Sequence, residues 1–325
     1  MALLSRNADR IFWAARYLER AEDTSRLIQE FGELFDDMPS DDAGENARRW
    51  SALLAVCGDR TMLQLEATER DVVRTLVVDP DEDGSVAACV AAARFNLRTT
   101  REVLPREAWQ AVNDLSIFVA NEAARADDRR FRSRVLGRVA DDSRRLDGII
   151  TSSMSRTDAF EIWRMGRYLE RADMTTRVVG VRAATLMSLG AERVQYDEVQ
   201  WMGVLKSLSA LQMYQRSGHG PIEASAVVQF LLFDEAFPRS VRFCLDEIER
   251  SLDRLSTPES VCIAVENART ALMSTMGNTN DGSDLDHAMD GVQFQIGQVG
   301  EAITERYLSI EPGRAAGRSS ERDPT

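Results

Sequence analysis

The sequence predicts an all-α protein with no sheet, built from two tandem, pseudo-symmetric helical-bundle halves. The 325 residues include only 19 glycines and 8 prolines. Long helices need few turn residues, whereas β-rich chains need many. No alternation of apolar and polar residues is long enough to indicate a strand. The two halves are predicted by an internal repeat, which has to be sought first because it determines the architecture.

The repeat is clearest in two segments. Residues 16–28, RYLERAEDTSRLI, recur as RYLERADMTTRVV at residues 167–179, an offset of 151 with eight of thirteen positions identical. Further along, residues 72–89 align with residues 227–244 at an offset of 155. Matches in the same order with a small drift in offset indicate a duplication of about 150 residues, which is too long for a solenoid unit.

Periodicity and punctuation divide the chain into about twelve helices. We assign residues 1–152 to the first half and residues 153–311 to the second half. Residues 312–325 are rich in Gly, Arg, Ser and Pro, which is typical of a disordered tail. The predicted helices are 6–36, 44–57, 60–77, 84–103, 105–126, 131–152, 156–188, 197–216, 221–234, 238–256, 259–276 and 285–309.

Charge and composition exclude several functional classes. The formal net charge is −13, and acidic residues lie between most of the arginines. This pattern argues against nucleic acid as a partner, and tRNA is the only variant we retain. Lys206 is the only lysine, which argues against a P-loop or Schiff-base lysine. None of the four cysteines forms a Cys-x-x-Cys pair. We expect reduced thiols and a cytoplasmic location, because no apolar leader or long apolar stretch occurs.

The repeated signature has two distinct faces when residues 8–28 are placed on a helical wheel. The apolar, mostly small stripe is Ile11, Ala14, Ala15, Leu18, Ala21 and Ser25. The opposite face carries Arg16, Glu19, Arg20 and Asp23, at spacings that allow pairing along the helix. Phe12, Trp13 and Leu27 flank these charges, so we predict a partly buried network.

The network has two open interpretations, because buried charges must find partners. It is either a structural ion-pair lock or the floor of a binding site. The second copy supplies Arg167, Glu170 and Arg171 but replaces Asp23 by Met174, so the two networks cannot be identical. Glu19 and Glu170 are the best catalytic candidates if a reaction occurs.

Two further sets of polar residues are weaker candidates. Pro238 fits the first turn of a helix, whose amides with Arg239 and Ser240 could hold a carboxylate or phosphate. The alternative is a capped helix start with Arg239 paired to Asp234. Asn96 and Arg98 lie in a polar run that is either a solvated face or part of a shared groove.

No metal site, cofactor site or nucleophile is recognisable. The only histidines are His219 and His287, and neither has a glutamate three residues before it, as a di-iron carboxylate bundle requires. No glycine-rich phosphate loop or Gly-x-Ser-x-Gly elbow occurs. The sequence therefore predicts no cofactor and leaves open whether the protein is an enzyme, with the balance against it.

The chain resembles the alpha-E domain family of bacterial helical proteins, which carry a Glu-Arg motif. The resemblance extends from Leu4 to about Tyr307. It rests on the blocks SRNA at 5–8, YLERAEDT at 17–24, Asn96, Arg98, Trp109, Asn113, GRYLERADMT at 166–175 and VVQFLLFDEAFPRSV at 227–241. Departures from the family pattern, Phe95 and Thr157 among them, affect single positions.

The resemblance implies partners. Family members are typically encoded beside, or fused to, a circularly permuted ATP-grasp protein, with transglutaminase-like peptidases and proteasome-like hydrolases as frequent neighbours. ATP-grasp enzymes form amide bonds through acyl phosphates. The leading hypothesis is therefore an accessory or substrate-presenting partner of an ATP-grasp amide ligase, acting on a peptide or amino acid that Arg16, Arg20, Arg171 and Arg239 would hold.

Two rivals remain at this stage. The chain is an enzyme in its own right, with Glu19 as a base or covalent carboxylate whose pKa is raised by burial, or it is a structural scaffold. The oligomeric state is not determined by the sequence.

Overall fold

The computed structural model describes residues 3–37, 43–58, 66–188, 197–255, 259–276 and 282–308. These ranges contain thirteen α-helices and no strand, which confirms the all-α prediction. The helices are α1 (Ser5–Asp37), α2 (Ala43–Cys57), α3 (Glu69–Val73), α4 (Val86–Arg98), α5 (Arg106–Glu122), α6 (Arg129–Ser153), α7 (Asp158–Ser188), α8 (Asp197–Ser207), α9 (Leu211–Arg216), α10 (Ala224–Phe233), α11 (Val241–Leu252), α12 (Glu259–Ser274) and α13 (Gly282–Ile303). The predicted tail at 312–325 lies outside the described residues.

Several predicted helices differ from the structure. Within the described residues, the segment predicted as 60–77 becomes helical only at Glu69, and the segment predicted as 84–103 ends as an α-helix at Arg98. The segment predicted as one helix over 197–216 is divided into α8 and α9, because Ser209 between them adopts a left-handed conformation with φ 52°. Pro238 was expected in the first turn of a helix, but α11 begins at Val241. Ser240 is its N-cap, because the Ser240 side chain accepts a hydrogen bond from the backbone N–H of Phe243 at 3.0 Å.

The two signature helices, α1 and α7, lie side by side and run in the same direction. Phe12 lies against Gly166 near their starts, and Glu19 contacts Arg171 further along. A Cβ atom on Gly166 would lie 2.5 Å from the carbonyl oxygen of Phe12, so only glycine permits this approach. The predicted small-residue stripe of α1 is buried throughout, as the wheel indicated.

Both signature helices lie at the centre of the molecule. α1 also packs on α4 and α6, and α7 also packs on α11 and α13. Buried apolar side chains from both predicted halves belong to one continuous core cluster. In the described ranges, none of the helices is long and apolar enough to cross a bilayer. The division into two pseudo-symmetric halves stays a prediction.

A serine-capped helix start occurs twice, in the two segments that align at an offset of 155. Ser85 Oγ accepts a hydrogen bond from the backbone of Ala88 at 3.0 Å and donates to the carbonyl oxygen of Asp79 at 2.5 Å. Ser240, its counterpart, caps α11 and donates to the carbonyl oxygen of Asp234. The aligned segments 72–89 and 227–244 therefore share a helix start as well as residues.

Candidate functional site

Glu19 is held by arginines from other helices. Its carboxylate accepts hydrogen bonds from Arg167 Nε at 2.8 Å and Arg171 Nε at 2.7 Å, both on α7. Arg239, just before α11, adds a contact of 2.9 Å between its Nη1 and Glu19 Oε1. Burial alone would raise the pKa of Glu19, but the charges of Arg171, Arg239 and Arg167 hold that pKa well below its usual range.

Glu170 is held by the reciprocal pair on α1. Arg16 Nε lies 2.7 Å and Arg20 Nε 2.5 Å from its carboxylate oxygens. Burial again opposes ionisation, and the two arginines outweigh burial, so the pKa of Glu170 falls to about 2. Each signature glutamate is thus bound by both arginines of the other signature helix, and the predicted buried charge network is present in the structure.

The Glu19 site continues into a larger second layer of charge than the Glu170 site, where Asp173 pairs with Arg177 at 2.8 Å. Arg239 lies 2.6 Å from Asp23 Oδ1 and 2.9 Å from Glu22 Oε1. Arg26 also pairs with Asp23. Asp23 Oδ2 is buried and has no hydrogen-bond partner in the described ranges, and burial raises the pKa of Asp23. At the equivalent position in α7, Met174 is buried and carries no charge.

Helix α6 connects the network to the surface, a feature that the sequence analysis missed. Arg144 donates to Glu22 at 3.1 Å, and Asp147 pairs with Arg167. Arg144 and Asp147 lie one turn apart on α6, but their partners are on α1 and α7. No local spacing in the sequence signals contacts between residues so far apart.

Arg167 and Arg171 also line an open cavity of about 400 Å³, which we call the arginine cavity. Its other cationic residues are Arg156, Arg164 and Arg254. Its acidic lining residues are Asp147 and Glu247, and its aromatic wall consists of Phe160, Trp163 and Tyr168. Of these ten residues, sequence analysis selected only Arg167 and Arg171.

Of the predicted residues around Pro238, Arg239 belongs to the network, whereas Asp234 and Ser240 form local hydrogen bonds at the start of α11. Arg239 pairs with α1 rather than with Asp234, whose Oδ1 instead accepts backbone hydrogen bonds from Ala236 and Phe237. Ser240 is used as a helix cap. Arg239 therefore forms buried ion pairs with α1, instead of lining an anion pocket or pairing with Asp234.

Asn96 and Arg98 lie at the end of α4. Arg98 is exposed with its guanidinium 5.8 Å from the centroid of the Phe95 ring, and the backbone carbonyl of Asn96 accepts from Thr99 at 2.9 Å. In the described part of the chain, no ion pair or side-chain hydrogen bond joins Asn96 or Arg98 to the network.

The network is poorly suited to base or nucleophile chemistry. Both signature glutamates have lowered pKa values, so their carboxylates are weak bases, whereas the enzyme hypothesis requires a pKa raised by burial. Burial raises the pKa of Cys89 and of Cys244 to about 12, which keeps these thiols protonated. What the arrangement can do is join two helices and present guanidinium groups to the arginine cavity.

Comparison with known proteins gives a family and distant relatives. Residues 3–308 match the Alpha-E family, described as a predicted alpha-helical domain with a conserved ER motif. Proteins of Mycobacterium bovis and Mycobacterium tuberculosis, each titled an uncharacterized protein, are 21% identical over 93% of this chain. The chain spans 37% of the length of these relatives. No solved structure matches.

The match covers nearly the whole chain and includes both Glu-Arg signatures. The chain therefore belongs to the Alpha-E family.

Proposed function

We propose that this protein is a helical, substrate-presenting partner of an ATP-grasp amide ligase that acts on a peptide or amino acid. The observation that carries the proposal is the position of Arg167 and Arg171. Each pairs with Glu19 inside the network and also lines the arginine cavity. A rigid network that ends in an open, cationic cavity is suited to holding a carboxylate substrate in place.

The chemistry of the site is consistent with separate roles for the two proteins, in which the ligase catalyses the reaction and this chain binds the substrate. An ATP-grasp ligase supplies nucleotide binding and acyl-phosphate chemistry, which this chain has no recognisable motif to perform. The lowered pKa values of Glu19 and Glu170 favour a presenting role over a catalytic one. The role proposed for this chain is therefore to bind and orient.

The length of the relatives is consistent with a partner. Because this chain spans only 37% of the mycobacterial proteins, the matched segment is one part of a longer polypeptide there. The family resemblance implies fusion or gene proximity to an ATP-grasp protein. A transglutaminase-like peptidase is a second partner of the same kind that we propose from the resemblance.

Co-expression with the circularly permuted ATP-grasp protein of the same genome tests the proposal. We expect the two chains to elute as one complex in size-exclusion chromatography and ATP-dependent amide formation to fall when this chain is omitted. Separate elution with unchanged ligase activity would overturn the proposal.

Variants of the cavity separate presentation from a purely structural role. We expect Arg156→Gln with Arg254→Gln to leave complex formation intact but to raise the ligase KM for its peptide or amino-acid substrate. Arg130→Gln, an exposed arginine outside the cavity, is the matched control. A scaffold without a presenting role predicts no change in KM.

A further inference from the structure

The arginine cavity is cationic in a protein that is strongly acidic. Five arginines line it against the two carboxylates of Asp147 and Glu247. The arginines still outnumber the acids when Glu19 and Glu161, which pair with them from behind the lining, are counted. Because the whole chain carries −13, this local excess marks a place where an anion is attracted rather than repelled.

Two of these arginines, Arg156 and Arg254, have more N–H donors than their contacts within the described residues use. An arginine has five N–H donors. Arg254 uses Nη1 to contact Glu161 at 3.0 Å, and its side chain is 56% exposed. Arg156 donates to the backbone carbonyls of Thr151 at 2.7 Å and Met154 at 3.4 Å, and it pairs with no carboxylate among the described residues. Both guanidiniums can therefore bind a carboxylate by two parallel hydrogen bonds.

The aromatic wall orients the Arg156 guanidinium, and the volume of the cavity limits the size of the ligand. The Arg156 guanidinium stacks 3.8 Å from the centroid of Phe160, which holds its planar fork at the cavity. Trp163 Nε1 donates to Asp147 at 3.4 Å, which fixes that carboxylate. A volume of about 400 Å³ is at the small end of ligand sites, the size of an amino acid or a short peptide end.

We infer that the arginine cavity binds an acidic α-amino acid, either free or as the carboxy-terminal residue of a peptide. Arg156 and Arg254 bind its two carboxylates. Asp147 and Glu247, which each have lone pairs beyond those used by their arginines, accept its ammonium or amide N–H. The inference rests on the proposed function, because it names the substrate that would be presented to the ligase.

Isothermal titration calorimetry on the full chain without any ligase tests the inference. The probes are L-glutamate, L-glutamine, the dipeptides Ala-Glu and Glu-Ala, and inorganic phosphate. We expect L-glutamate or Ala-Glu to bind about tenfold or more tightly than L-glutamine, since each charge-assisted hydrogen bond contributes that much. Tighter binding of Ala-Glu indicates a peptide end, and tighter binding of L-glutamate indicates the free amino acid.

Variants test whether the probes bind in the arginine cavity. Arg156→Gln with Arg254→Gln is expected to weaken the preferred probe about tenfold or more, whereas Arg130→Gln leaves it unchanged. Circular dichroism confirms that each variant is folded. Phosphate or Glu-Ala binding as tight as that of the preferred acidic probe, or no binding of both L-glutamate and Ala-Glu, would overturn the inference. A complex with the ligase that forms despite such a result would leave the proposed function standing.

Discussion

The Glu19 site and the Glu170 site are built from the same signature, yet they differ in charge and in exposure. Among the described residues, three arginines bind Glu19, whereas two, Arg16 and Arg20, bind Glu170. The side chains of Arg16 and Arg20 are 17% and 24% exposed, against 15%, 7% and 9% for Arg167, Arg171 and Arg239. The Glu19 site is the deeper and more heavily charged of the two.

The additional buried charges of the Glu19 site come as a matched pair. The extra cation, Arg239, and the extra acid, Asp23, contact each other at 2.6 Å. At the equivalent positions the second site has Met174, and the first half has Gly84 in place of Arg239. Neither charge is present without the other, as expected when an unpaired buried charge costs several kcal/mol.

The largest expected effect is that of removing each glutamate charge. Glu19→Gln leaves three arginines without their shared counter-charge, so we expect it to lower the free energy of unfolding by about 3–5 kcal/mol. Glu170→Gln should cost about 1–2 kcal/mol less, because water reaches Arg16 and Arg20 more easily. Urea unfolding at neutral pH measures both. Equal losses would mean that the two sites are energetically equivalent.

Acid pH should weaken the same contacts. The pKa of Glu170 is about 2 in the fold against an ordinary value of 4.5, so its contribution, roughly 3 kcal/mol, is present above about pH 4.5 and is lost as the pH falls towards 2. Asp23 acts in the opposite direction, because burial raises its pKa and protonation relieves the cost.

Urea unfolding at pH 6, 5, 4 and 3 measures this dependence. We expect Glu170→Gln to flatten the acid loss and Asp23→Asn to steepen it. A pH profile of Glu170→Gln that parallels the unsubstituted protein would contradict the assignment.

A double-mutant cycle measures the coupling free energy between Arg239 and Asp23. Arg239→Met alone removes one of the two arginines that pair with Asp23, whereas Arg239→Met with Asp23→Met makes the first site resemble the second. We expect the double variant to be more stable than the sum of the two single losses predicts, with a coupling of about 1–3 kcal/mol. The unfolding free energies of the four proteins measure it, and additive losses would show that the two charges are independent.

Much of the fold was predictable from periodicity and punctuation. The prediction of helix 6–36 corresponds to α1, Ser5–Asp37, because a small-residue stripe and few breakers determine a long buried helix locally. The division between α8 and α9 was missed, because Ser209 is not a residue type that normally signals a left-handed turn.

The candidate site was predictable only in part. The wheel identified Arg16, Glu19, Arg20 and Asp23, since their neighbours are apolar. It could not assign Glu19 to Arg171, because ion pairs between helices depend on packing rather than on spacing. The arginine cavity was largely missed for the same reason. Arg156 and Arg254 are 98 residues apart in the sequence, and only the fold brings them together.

Gly166 couples the ion pairs of Glu19 to those of Glu170. Because α1 and α7 approach to backbone contact there, a single added methyl group at Gly166 has no space unless the helices separate. Any such separation stretches the ion pairs of Glu19 and Glu170 together. The two signatures therefore behave as one cooperative unit, and a side chain that bears no charge sets the distance over which all of these charges act.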